Sequence, residues 1–89
     1  MLVLSREIGQ SIVIEDVLLT LLRIDEEYVE FSLTKLTGGK PKIVTLPHRE
    51  QIEICYEVQV ALIQIKGSRA RFGFEYPPEV EITRHEFLE

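Results

Sequence analysis

Cysteine is all but missing from this chain. Cys55 is the single one among 89 residues, so no disulfide can form within the chain. The two histidines, His48 and His85, add no metal-ligand spacing. No apolar run approaches the roughly 18 residues of a membrane helix, and the opening lacks the basic stretch of a secretory signal. Cys55 sits in an apolar strand pattern and reads as a buried thiol. A cytoplasmic protein with no membrane attachment is the expectation. No glycine-rich phosphate loop precedes a helix, and no nucleophile stands beside an evident base. The chain therefore reads as no enzyme and as needing no cofactor. It is also short of positive charge: ten Lys and Arg against fifteen Asp and Glu leave a net −5. Such a chain does not draw phosphate over its whole surface. Any nucleic-acid site must be local, with a few arginines gathered against an unfavourable background.

What the chain does have is strand after strand. Hydrophobic residues make up 45% and charged residues 28%, as in a soluble globular domain, and the length suits one domain over residues 1–89. Apolar residues alternate with polar ones through Leu2–Arg6, Ser11–Glu15, Val17–Ile24, Tyr28–Thr34, Lys42–Leu46, Gln51–Cys55, Val58–Ile65, Arg69–Glu75 and Glu79–Ile82. That period, with turn residues between short runs, is an all-β signature with little or no helix. Lys66-Gly67-Ser68 reads as a hairpin turn. Thr37–Pro41 is the most linker-like stretch. Only Arg84–Glu89 could begin a helical turn.

The pattern also repeats. At an offset of 41, Val17 falls on Val58, Leu21 on Leu62, Ile24 on Ile65 and Phe31 on Phe72. At an offset of 40, Val3-Leu4-Ser5 lies over Ile43-Val44-Thr45, and Ile12 and Ile14 over Ile52 and Ile54. This reads as internal duplication, with halves at 1–40 and 41–89. A half of roughly 45 residues is near the size at which a core needs outside help, and a second half supplies it.

The opening "MLVLSREIGQSIVI" resembles that of the carbon storage regulator (CsrA/RsmA) family. The tail "VQVALIQIKGSRARFGFEYPPEVEITR" is similar to the family's third to fifth strands, through Gly73, Pro77, Val80, Ile82 and Arg84. The resemblance covers Met1–Asp16 and Val58–Glu89. It implies interleaved antiparallel strands and binding of single-stranded GGA loops in messenger or small regulatory RNA, often over the ribosome-binding site. The outcome would be control, typically repression, of translation or message stability. Residues 17–57 have no place in an ordinary member. Within them, Pro41–Tyr56 reads either as a degraded second copy of the opening or, through Val44–Ile52, as a fifth strand. Two layouts follow: a monomeric pseudo-dimer with one good RNA site, or an insertion within a chain that still pairs as a homodimer with two.

In this family an RNA site joins the first strand of one half to the fifth strand of the other. The resemblance thus implies Leu4, Ser5, Arg6 and Ile8 on one side, facing Ile82, Thr83, Arg84 and His85. Arginine suits the task, because its planar fork grips phosphate and base edges. The bland alternative for Arg6 is a strand-end charge paired with Glu7 or Glu86. Glu7 stands where family members usually carry a second arginine, and His85 where they carry a glutamate. Leu46 stands where a second copy would need Arg6. Arg69 and Arg71 read as a solvated strand face, with a phosphate track as the minor alternative. His48 and Arg49 read as a surface turn or a remnant second site. The rival function, from another class, is a degenerate member that binds a protein instead of RNA, such as a flagellar-assembly-factor-like antagonist.

Overall fold

Period-two alternation places one face of each segment inward, and two sheets close over the result. The computed structural model describes residues 1–85, His85 by its backbone alone. Nine strands run in order: β1 (Leu2–Glu7), β2 (Ser11–Ile14), β3 (Val17–Ile24), β4 (Tyr28–Lys35), β5 (Lys42–Pro47), β6 (Gln51–Cys55), β7 (Val58–Lys66), β8 (Arg69–Glu75) and β9 (Ile82–His85). They form two antiparallel sheets, β1-β8-β7-β6 and β5-β4-β3-β2-β9. No helix occurs among the described residues, and none is long and apolar enough to cross a membrane. The all-β expectation holds.

The strands interleave within one chain. β1 leaves β2 and pairs with β8, while β5 pairs with its predecessor β4, and β9 crosses to the outer side of β2. Each three-strand meander, β2-β3-β4 and β6-β7-β8, thus receives one first strand. The registers match pair for pair. Leu4 lies opposite Phe72 and Arg6 opposite Ala70; Val44 lies opposite Phe31 and Leu46 opposite Val29. β5 therefore stands to β4 as β1 stands to β8.

Finer features recur as well. Both long hairpins are bulged at matching positions, between Leu21 and Arg23 and between Leu62 and Gln64. The Gly9 amide donates to the Leu21 carbonyl, and the Arg49 amide to the Leu62 carbonyl. Even the change of offset from 40 to 41 has a local cause. β6 carries an irregularity between Glu53 and Cys55 that β2 lacks, so Ile54 is absorbed as one extra residue in a bulge.

The core lies between the sheets. Ile12, Ile14, Leu19, Leu21, Val29, Phe31, Leu46, Val58, Val60, Phe72 and Phe74 are fully enclosed. Cys55 is only partly buried. This is less than the buried thiol the pattern implied; burial, and then the nearby Asp16 charge, still push its thiol pKa up.

Two expectations at the end of the chain are corrected. The last strand is not Glu79–Ile82 but β9, Ile82–His85. Pro77 and Pro78 fix their own φ and withhold amide donors. The chain turns instead, the Val80 amide donating to the Pro77 carbonyl at 3.1 Å. Val80 is 9% exposed, so it enters the core from a turn, and its apolar spacing from Ile82 imitates a strand. The helical turn expected from Arg84 is absent at Arg84 and His85, which belong to β9; residues 86–89 lie outside the described residues.

Candidate nucleic-acid interface

Arg6 shares a strand face with Leu2 and Leu4, and that phase turns it inward. It is 4% exposed. Its Nε donates to the Ser5 carbonyl at 2.7 Å and its Nη1 to the Ser11 carbonyl at 3.3 Å. A buried guanidinium is tolerable only when oxygens replace its water, and here strand backbone supplies some of them. Arg6 is thus not a solvated strand-end charge. Of the two acids expected to pair with it, Glu7 points outward to Arg69 at 2.9 Å, and Glu86 lies outside the described residues.

Arg69 and Arg71 occupy the outward face of β8. Cross-strand register sets two rows. One is Ser5, Arg71 and Gln64; the other is Glu7, Arg69 and Lys66. From the other sheet, β9 places Arg84 opposite Ile12, one residue along β2 from the Ser11 carbonyl that holds Arg6. The two edges meet around a cavity of ≈ 360 Å³ lined by Val3, Ser5, Arg6, Gln10, Arg69, Arg71 and Arg84. A neighbouring hollow of ≈ 200 Å³ adds Gln64 and Lys66. Four of the chain's arginines thus line one cavity, with Lys66 beside them. Arg6 supplies a fixed, weakly hydrated charge at its wall, and Arg69, Arg71 and Arg84 supply exposed ones. Low-dielectric walls focus such a field.

The cavity is one-sided. In the other sheet the positions matching Arg6, Arg69 and Arg71 are Leu46, Tyr28 and Glu30, by the registers of β5 with β4 and β1 with β8. Arg23 does lie nearby, but its guanidinium is 3.2 Å from Asp25 and stacks 5.9 Å from the Tyr28 ring centroid.

Comparison with protein-family models, with curated proteins and with solved structures returns no match. Any functional assignment therefore stands on the geometry.

The residues singled out in the sequence fare differently. Ser5, Arg6 and Arg84 come together in the cavity although they arrive from two sheets. Leu4 is 6% exposed and belongs to the core. Ile82 is partly buried and packs against that core. Ile8 and Thr83 are exposed but do not line the cavity. His85 pairs through its backbone with Ser11; its side chain, like all of Glu86, lies outside the described residues. His48 and Arg49 form the exposed turn between β5 and β6, with His48 Nε2 3.0 Å from the Ile63 carbonyl. Sequence reasoning undervalued Arg69 and Arg71. Two arginines two apart share a strand face, but nothing in β8 shows which strand lies beside it.

Proposed function

We propose that this protein binds single-stranded RNA of the GGA-loop kind and regulates the messages that carry it, as a carbon-storage-regulator-like pseudo-dimer of halves 1–40 and 41–89. One observation carries the reading. A chain of net charge −5 gathers Arg6, Arg69, Arg71 and Arg84 around one cavity. Like charges gathered around one cavity repel one another, and an anionic ligand offsets that repulsion. Arginine forks suit both phosphate oxygens and the O6 and N7 edge of guanine. Unstacked bases in a loop expose those edges, whereas the deep groove of an RNA duplex does not. The matched registers and paired bulges support the duplicated halves. Leu46, Tyr28 and Glu30 at the matching positions support one RNA site per chain.

Fluorescence anisotropy with a labelled GGA-loop hairpin tests this. The expected result is a single site per chain that discriminates against the same hairpin with a pyrimidine loop. With three or four phosphates engaged, log K should fall against log salt with a slope of about −2 to −3. Absence of binding at low salt, or equal binding to both loops, would remove the reading.

Glu7 supplies a graded check. Its carboxylate holds Arg69 in an exposed pair, which contributes little to stability. Glu7→Gln should therefore leave the unfolding midpoint in place and tighten RNA binding by about two- to fivefold. A weakened complex would mean that Glu7 orients Arg69 for the ligand.

A further inference from the structure

The two sheets differ in strand number: one has five strands and the other four. β1 and β5 occupy matching outer positions, and among the described residues no strand pairs with their far sides. β2 and β6 also match, but β9 covers β2, while among the described residues β6 pairs only with β7. The four-stranded sheet thus has an unfilled place where its partner sheet has a strand.

The apolar residues beside that place register the difference. Ile12 and Ile14, under β9, are fully enclosed. Ile52 and Cys55, which hold the same positions opposite Val60 and Val58, are only partly buried. An exposed strand edge with half-covered apolar residues is a template for strand addition.

Charge decides what fits. From Glu50 to Ile65 the chain has no lysine or arginine. Glu50, Glu53 and Glu57 are exposed, with Glu53 also accepting a hydrogen bond from Gln59 at 3.2 Å. The end of β6 opens on a cavity of ≈ 620 Å³ lined by Glu15, Asp16, Tyr56, Glu57, Pro77, Glu79 and Val80. Tyr56 hydrogen-bonds Asp16 across it. A second copy of this chain is a poor occupant. Two β6 edges side by side would oppose their glutamates, and like charges across a strand pair destabilise it.

We propose that the β6 edge takes up an extended, lysine- or arginine-rich segment of a partner protein, added as an antiparallel fifth strand. Alternate apolar side chains of that segment cover Ile52 and Cys55, and its basic residues face Glu53 and Glu57. The site lies apart from the arginine cavity and does not depend on RNA binding.

The test uses the full chain and a capped synthetic heptapeptide, Lys-Val-Lys-Ile-Thr-Ile-Lys, followed by amide NMR and hydrogen exchange. β6 amides that point away from β7 should shift and gain protection, while those of β1, β5 and β9 do not. A peptide with proline at its centre should lose the effect, since it cannot complete the ladder. Glu53→Lys should weaken the peptide by about fivefold with an otherwise unchanged spectrum. The Arg71→Ala, Arg84→Ala protein should bind peptide normally, which separates this site from the RNA site. No response at millimolar peptide would overturn the proposal. So would a response centred on another edge, equal binding of the proline peptide, or a two-chain mass without peptide.

Discussion

Alanine at both Arg71 and Arg84 should weaken binding of a GGA-loop hairpin by roughly 30- to 1,000-fold, about 2–4 kcal/mol, and leave the unfolding midpoint where it was. Both side chains are exposed and both line the arginine cavity. They come from different sheets, so each can grip a different part of a folded-back loop. Loss of two phosphate contacts should also make the salt slope shallower by about 1.4. An effect on affinity with no change of slope would mean that the two forks read bases rather than phosphates. Arg6 is the wrong residue for this experiment. It is enclosed and bonded to the Ser5 and Ser11 carbonyls, so its removal strips partners from buried oxygens. Lost affinity could not then be told from a loosened fold.

The strands were legible because alternation is a local signal. Leu2, Leu4 and Arg6 share one phase, and the structure turns all three inward. The apolar recurrence that pairs Phe31 with Phe72 has a counterpart in the strand registers, Leu4 opposite Phe72 and Val44 opposite Phe31. Three things were not legible. Val80 and Ile82 have strand spacing, yet a proline pair and a buried turn residue satisfy the same spacing without a strand. The offset changes from 40 to 41 because Ile54 is taken up in a bulge, which apolar patterning cannot distinguish from a loop insertion. The cavity was only half visible. Arg6 and Arg84 were expected to meet, but Arg69 and Arg71 join them only because β1 pairs with β8. That pairing spans most of the chain, and nothing in β8 announces its neighbour. Without it, a pair of outward arginines is indistinguishable from a solvated face.

The interleaved sheets predict one further large effect, at the centre. Phe31 on β4 and Phe72 on β8 are matching residues by register, and they touch each other. Their ring centroids are 6.3 Å apart and their planes lie at 87°, an edge-to-face contact between the two sheets. Phe74 adds a second ring 6.3 Å from Phe72. Phe72→Ala should cost about 3–5 kcal/mol, a large share of the ~5–15 kcal/mol that holds a small domain together, and should lower the midpoint by at least about 12 °C. Leucine substitutions keep the fold measurable and allow the pair to be separated. If the rings hold the sheets together through their mutual contact, Phe31→Leu and Phe72→Leu should cost similar amounts. The double variant should then cost less than their sum by about 0.5–1.5 kcal/mol. Strict additivity would show that the sheets are joined by buried area alone, with no particular contribution from the ring contact.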